Sequence, residues 1–448
     1  MFSEITVIGG GASGLMAAFS AAKTISESSS EASVTVLEKM PRPGRKIMIT
    51  GKGRCNFTNY KEWESFSPHI RSKASAVRPA FFNLPPSKVI EFFEGQGVPT
   101  VVERGDRAFP QSHMASDIVD ALVRASTSLG VKIHPGVQVG KVSYDPEGDV
   151  FNLDAGDRVF SCRRLIIATG GLSYPSTGSS GDGYSFAASL GHSISPLFPS
   201  LTAIVPKGYK IHGADGTGLR GHIDRSIPVS AAGRQLMGIS LKNSGLALFL
   251  DGNEVHRVMG DLDFTDGGLE GPLGFQVSRE CVKGLVNGRK AAVSIDLKPA
   301  VGGDELLGRL RRLWSEIQAD PRSAGMHMDR MFRVLLGKVL PHGLIDGFLA
   351  WNPGLGKGAD LEMLARRLKD WRMEIEGFVG YERAVVTAGG IPTEEIIAKT
   401  LESKRQKGLY LCGELLDVDA DTGGYNLQCA FSTGFLAGLS AAKSIIGR

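Results

Sequence analysis

The chain has 448 residues, 42% of them hydrophobic and 22% charged, with a formal net charge of +4 at pH 7. That is the composition of an ordinary globular protein long enough for two or three domains, and so small a charge gives no case for nucleic-acid binding by bulk electrostatics. The apolar runs fall short of the roughly 20 residues that span a bilayer, and the first strand begins too early to leave room for a signal peptide. Cys55, Cys162, Cys281, Cys412 and Cys429 form no Cys-x-x-Cys pair, and the nine histidines show no metal-ligand spacing. The expectation is a cytoplasmic protein with no membrane partner, no nucleic-acid partner and no metal.

Directly after the apolar run at 5–8 comes Gly9-Gly10-Gly11-Ala12-Ser13-Gly14, followed by a helix-like run at 15–19. This is the glycine fingerprint of a dinucleotide-binding strand-turn-helix unit. Gly9 permits the turn, Gly11 lets backbone approach a pyrophosphate, and Gly14 lets helix and strand pack closely, with the amides of Ala12 and Ser13 at the helix start. A second buried strand at 33–37 ends on Glu38, where a carboxylate meets the ribose hydroxyls. It repels a 2'-phosphate, so the ligand is NAD-like or FAD-like and NADP is disfavoured at this site.

The stretch 39–56 holds six basic residues, Lys39, Arg42, Arg45, Lys46, Lys52 and Arg54, and no acidic one, among glycines and prolines. It reads as a basic loop beside the ribose position, suited to phosphates or an anionic substrate. Residues 59–130 read as helical with one hairpin at 98–110, 131–134 and 137–144 as strands, and 151–160 as a continuing antiparallel meander. The run at 164–171 is another buried strand ending in Ala168-Thr169-Gly170-Gly171. From about 196 to 264 the segments are short and alternating, with an Asp251-Gly252-Asn253 hairpin turn, which argues for an antiparallel barrel or sheet domain. Stretches 306–317, 326–339 and 361–369 read as helices, and 372–386 as strand. No second Gly-x-Gly-x-x-Gly supports a dedicated second dinucleotide domain.

Near the carboxyl end a strand at 409–412 runs into Gly413-Glu414, and Gly423-Gly424-Tyr425-Asn426-Leu427-Gln428 opens a small-residue helix to about 446. Two-dinucleotide flavoproteins finish in this way: the acid bonds the ribityl chain and the helix points its amino end at the flavin pyrimidine, where its dipole stabilises negative charge.

Taken with Gly-Arg-Lys-Ile at 44–47, Gly-Arg-Cys-Asn-Phe-Thr-Asn at 53–59 and Thr-Ala-Gly-Gly-Ile at 387–391, these segments resemble the bacterial NAD(P)/FAD-dependent oxidoreductases grouped with aminoacetone oxidase and the BaiN-type dehydro-bile-acid reductase, across essentially the whole chain. The resemblance implies an α/β fold: a Rossmann-like FAD-binding domain at 1–195 and 386–448, interrupted by an antiparallel β-barrel at 196–265 and 346–385 that carries a small helical insertion at 266–345. It implies non-covalent FAD lined by Gly44, Arg45, Lys46 and the segment around Cys55 and Asn56. With the residues above, the expected cofactor-binding set is completed by Lys39, Val139, Thr169, Gly170, Gly171, Gly413, Glu414, Gly424, Asn426, Leu427 and Gln428. Two departures stand out: family members commonly carry Thr-His-x-Gly-x-Ser-Gly-Pro where this chain has 265–272 with Asp266, and tryptophans where it has Cys429 and Phe431.

The expected function is an FAD-dependent oxidoreductase passing hydride between a small organic substrate or NAD(P)H, as transient co-substrate, and another acceptor. No residue is assigned as catalytic acid or base; Tyr174, Tyr425 and Cys55 are candidates by position, Cys55 reading first as a packed neutral thiol. The alternatives are an FAD-binding RNA-modifying enzyme and a non-enzymatic flavin redox sensor.

Overall fold

The computed structural model describes residues 1–28, 30–211, 219–355 and 359–447. The chain divides into two compact units, Met1–Phe198 with Val385–Arg448, and Pro199–Ala384.

The first unit is built on strands β1 (Phe2–Ile8), β2 (Val34–Glu38), β3 (Lys132–Pro135), β4 (Val159–Ile167) and β5 (Leu409–Leu411), with helix α1 (Ala12–Glu27) between β1 and β2. The strands are parallel and lie in the order β5-β4-β1-β2-β3. That order is the doubly wound dinucleotide-binding one, with the crevice over the carboxyl end of β1. Val7, Val36, Ile166, Ile167 and Leu411 are all but fully buried. Strands covered on both faces read as unbroken Val/Ile/Leu runs, and each such side chain contributes about 1.5–3 kcal/mol relative to exposure. Two expected strands shift. The 137–144 segment pairs only from Lys141 to Asp145, because Val137 donates its N–H to the Glu38 carbonyl at 2.9 Å and so bends around the end of β2. The expected hairpin at 98–110 forms, and Thr58–Asn59 joins it as a third strand.

The last helix, α2 (Tyr425–Ile446), has 22 residues, and its most apolar 18-residue stretch has a mean hydropathy of 1.3, so by length and composition alone it passes for a bilayer span that the apolar runs of the sequence did not reveal, although that stretch is mostly buried in the fold. Ala, Gly and Ser spread its apolar character instead of concentrating it in one Leu/Ile run. One face packs on α1: a Cβ on Gly434 would lie 2.2 Å from the Ser13 carbonyl oxygen, and one on Gly438 2.0 Å from that of Ala17. The two glycines therefore set the closeness of the two helices.

At the β5 edge, His192 donates from Nδ1 to Glu395 at 2.9 Å, and its Nε2 faces the Ser403 hydroxyl at 2.7 Å. Ser403 Oγ already accepts from the Arg405 and Gln406 N–H groups, so its proton goes to Nε2 and the imidazole is neutral. This Ser-His-acid order superficially matches a hydrolytic relay, but the His192 side chain has no exposed surface; it is a structural tie. Burial would raise Glu395, yet bonds from Ser193, Arg405 and His192 hold it down to about 2. A carboxyl lowered from 4.5 to about 2 contributes stability that is present above its unfolded value and lost as pH falls through the folded one, about 3 kcal/mol in all. Burial also pushes His192 below its ordinary value, so protonation of the unfolded chain begins the loss below about pH 6.5. The expected result is that the stability gap between wild type and Glu395→Gln, measured by urea titration, closes between about pH 5 and pH 2.

In the second unit, Ser240–Leu250 and Asn253–Thr265 form the expected hairpin around Asp251 and Gly252, both with positive φ. Ala291–Asp296 and Trp371–Val379 extend the sheet on one side and Gly268–Glu270 on the other, and Ile204–Pro206 pairs with both Gly268–Glu270 and Trp371–Val379, so the path of pairings returns on itself. Helices Gly303–Ala319, Met328–Val339 and Leu361–Lys369 belong to the same compact unit. The range 266–345, expected to be a helical insertion, thus contributes two strands to the sheet. Gly268–Glu270 has only three residues, too few for a period-2 pattern to show.

Candidate functional site

The site begins where β1 ends. Gly9 has φ +103°, and a Cβ there would lie 2.6 Å from the Ala168 carbonyl oxygen; one on Gly14 would lie 1.8 Å from the Gly9 carbonyl oxygen. These two glycines serve the packing of β1, α1 and β4. Gly11 differs, since a Cβ there would meet nothing within 4 Å. Helix α1 starts beyond Gly11 with no side-chain cap and no acid in its first turn, so its first amides and its positive dipole end are left for an anion.

Glu38 fixes the other side of the crevice. Its Oε2 accepts from the Gly10 N–H at 2.7 Å and its Oε1 from the Met40 N–H at 2.7 Å. A carboxylate has about four acceptor positions, so this one is oriented by backbone and retains capacity for ribose hydroxyls. Replacing Glu38 by Ala is expected to weaken FAD binding by about 1.5–3 kcal/mol, ten- to more than a hundredfold in Kd. It should also lower the melting temperature of the cofactor-free chain, because two amides lose their acceptor. An unaltered Kd in flavin fluorescence titration would contradict the placement of Glu38 at the nucleotide.

The basic loop folds back on the fingerprint through the Gly44 N–H, 2.9 Å from the Gly10 carbonyl. Gly44 takes φ +73° and a Cβ there would strike Val119 at 2.6 Å. Most of the loop's cations are paired: Lys39 with Asp182 at 2.6 Å, Arg42 with Asp120 at 3.4 Å, Lys46 with Glu414 at 2.7 Å, and Arg54 with Glu103. Arg45 and Lys52 have no carboxylate partner among the described residues. Cys55 is fully buried, and burial pushes its thiol up to about 12 despite a bond from Thr50; it is a neutral packed thiol. The Asn56 Oδ1 and Thr169 Oγ1 atoms are buried without a hydrogen-bond partner among the described residues. Buried orphans of this kind call for a ligand or water, and two of them fall on residues expected to meet the cofactor.

The carboxyl-terminal segment reaches the same place. Gly413 has φ +74°, donates to Thr433 Oγ1 at 3.0 Å, and would carry a Cβ only 2.4 Å from Ser13 Oγ. Glu414 accepts from Lys46 and from the Thr387 N–H at 2.7 Å. Thr387 in turn accepts from the Leu172 N–H at 2.8 Å, next to Gly170 and Gly171. Val139 is buried two residues beyond the Val137 tie to β2. Tyr174 takes φ +53° at the start of the turn that follows.

The last expected residues divide. Gly424 has φ +96°, and a Cβ on it would meet the Thr58 carbonyl group at 2.4 Å, so its close approach is to the chain's own backbone. Asn426 is committed to the preceding loop, bonding the Ala420 N–H and the Ala420 and Asp421 carbonyls. Gln428 is fully buried and bonded to Thr58, the Leu84 carbonyl and Ser432. Leu427 packs on a core cluster that contains Phe431, whose ring meets Phe93 edge-on at 5.7 Å. Phe431, where tryptophan is usual, is thus a core residue. In the second unit, Asp266 pairs with Arg383 at 2.5 Å, and Arg383 also holds Glu270. Sequence reasoning did not single out Asp182, Thr387 or Asp421 as site residues. Thr387 begins the Thr-Ala-Gly-Gly-Ile run at 387–391, and Asp421 closes an alternating acidic run at 417–421 just before the glycine turn.

Three relatives match over nearly the whole chain. A 3-dehydro-bile acid delta(4,6)-reductase of Clostridium scindens is 33% identical over 98% of this chain and 99% of its own length. Ribosomal RNA dihydrouridine synthases of Haemophilus influenzae and Escherichia coli are each 29% identical, over 99% and 98% of this chain and 99% of theirs. The HI0933-like protein Rossmann domain family matches residues 3–440. With the fingerprint, the held acid and the carboxyl-terminal return all in one parallel-sheet unit, the chain belongs to the HI0933-like family of FAD-dependent flavoprotein oxidoreductases.

Proposed function

We propose that this chain binds one FAD and reduces a carbon–carbon double bond conjugated to a carbonyl in a small organic molecule, with NAD(P)H as reductant. The observation that carries the reading is the crevice itself: open space at Gly11, an uncapped α1 amino end, and a Glu38 carboxylate oriented by two amides. When bound, FAD supplies the hydride chemistry. The α1 amides would hold the pyrophosphate and Glu38 the ribose. The amino end of α2, with no side-chain cap and no acid in its first turn, would stabilise negative charge on the reduced ring.

The substrate class rests on the relatives. A delta(4,6)-reductase of a 3-dehydro-bile acid and a dihydrouridine synthase are both named for adding two hydrogens across a double bond in conjugation with a carbonyl. The 33% relative and the commitment of four of the basic loop's six cations to carboxylates favour a small molecule. The 29% relatives support ribosomal RNA as the second reading.

Purified protein should be yellow and release FAD at about one per chain on denaturation. Under anaerobic conditions NADH or NADPH should bleach it, and a 3-oxo-4-ene steroid should restore the colour. Release of FMN would sink the cofactor assignment. Restoration by unmodified ribosomal RNA and not by the steroid would decide for the second reading.

A further inference from the structure

A cluster at the amino end of α2 adjoins the site, since a Cβ on Gly424 would lie 2.9 Å from the orphaned Asn56 Oδ1. Tyr425, one residue beyond the Gly423-Gly424 turn, stacks on the imidazole of His69 with centroids 4.2 Å apart and planes inclined by 22°. His69 Nδ1 lies 2.9 Å from Asp421 Oδ2, and Arg71 grips the same carboxylate through Nε at 2.6 Å and Nη2 at 3.0 Å. The loop is fixed in turn: the Asp421 N–H donates to the His69 carbonyl at 2.9 Å, and Asn426 clamps the Asp421 carbonyl at 3.0 Å.

With Nδ1 on a carboxylate and one ring face on Tyr425, the edge left open is that of Nε2. The His69 side chain keeps 36% of its surface exposed, against 10% for Asp421. A carboxylate on Nδ1–H fixes the tautomer and leaves Nε2 to take up and give the mobile proton. The buried His192 tie uses the same groups but has both ring nitrogens occupied and no exposed surface. His69 is the one of the two that can exchange a proton with a ligand.

We propose that His69 is the general acid of the reduction, with Asp421 as its positioning residue; this rests on the reaction proposed above. Hydride addition forms one C–H bond as the π bond of the double bond breaks, the cofactor being oxidised by two electrons. The electron pair displaced toward the carbonyl takes the proton from Nε2–H, forming the second C–H bond. The imidazole is left neutral and takes up one proton from the solvent buffer. The titratable and charged groups facing the ring are Asp421, Arg71 and Tyr425, with Asp106 acting on Tyr425. Burial, then Asp421 and Asp106, push the Tyr425 hydroxyl above its ordinary value, so it stays protonated and supplies no base to compete.

The test uses the FAD-loaded full chain, with His69→Gln and Asp421→Asn beside wild type. His69→Gln should slow reoxidation by a 3-oxo-4-ene steroid on the order of 10²–10⁴-fold, far more than it slows reduction by NADH. Nitrogen-15 NMR should find the neutral His69 proton on Nδ1, lost from there in Asp421→Asn, and an Nε2 resonance that moves when bound FAD is reduced. A neutral His69 ring that carries its proton on Nε2 instead of Nδ1, an Nε2 resonance indifferent to the redox state, or a His69→Gln protein that matches wild type in steroid-dependent reoxidation overturns the proposal. Wild-type reduced protein that ignores the steroid overturns the substrate reading instead, and the NMR result then still decides whether His69 stands at the flavin.

Discussion

Replacing Gly14 by Ala is expected to destabilise the chain by about 3 kcal/mol or more, whereas replacing Gly11 by Ala should change the stability of the cofactor-free protein by no more than about 1 kcal/mol and still weaken FAD binding at least about tenfold. The two residues stand three apart in one motif, and their surroundings are opposite. A Cβ on Gly14 would lie 1.8 Å from the Gly9 carbonyl oxygen and 3.3 Å from the Ala168 side chain, atoms that belong to β1 and the end of β4. Relief of that overlap requires α1 to lift from the sheet, which also breaks its contact with α2 at Gly434 and Gly438. Gly11 has φ −84° and ψ −165°, backbone that alanine adopts freely, and open space where the methyl would go. That space is the approach path of a pyrophosphate to the helix amides. Urea titration of the cofactor-free proteins and FAD titration of the refolded ones give both quantities. A Gly11→Ala protein with unchanged FAD affinity would show that the open space is not the cofactor's.

What could be read from the sequence was whatever a local pattern records. The Val/Ile runs of β1, β2 and β4 announce strands buried on both faces, the spacing of Gly9, Gly11 and Gly14 announces the turn, and Glu38 ends the second strand where the ribose needs it. The Asp251-Gly252 pair gives the hairpin, because positive φ at both positions suits these residues. Contacts between distant segments left no such trace. Lys46 and Glu414 are 368 positions apart, and nothing local says that the loop's cations meet carboxylates instead of solvent or phosphate. The side-chain directions in the first turn of α2 are hidden for a related reason. Asn426, Leu427 and Gln428 follow the glycines that mark a close approach, but which way each side chain points depends on where α1, Thr58 and Leu84 lie. The structure sends Gln428 into the core and turns Asn426 back on its own loop. His69 carries no signal beyond its identity, and its role is legible only through the stack on Tyr425 and the bond to Asp421.

The glycine turn before α2 yields the sharpest test of the flavin end of the site. A side chain at Gly424 would collide with the fold itself, because a Cβ there would lie 2.4 Å from both the carbon and the oxygen of the Thr58 carbonyl. Gly424→Val is therefore expected to cost several kcal/mol of global stability, about the upper range of core overpacking, and any loss of flavin follows from unfolding. Gly423 is the better probe. It has φ +118°, yet its Cβ would find the Tyr425 ring at 3.3 Å and the Asn59 amide at 3.8 Å, contacts that small adjustments absorb. Gly423→Ala should thus cost about 1–3 kcal/mol for the strained backbone, keep the fold and keep FAD. Its effect on chemistry depends on the amino end of α2. If those amides face the flavin pyrimidine, tilting the turn moves them from the developing negative charge, and the reduction potential of bound FAD falls while reduction by NADH slows. If the helix end serves only the fold, the melting temperature drops and the potential stays where it was. Redox titration and a melting curve on the same FAD-saturated preparation separate the two, and an unchanged potential would remove α2 from the electrostatics of the reaction.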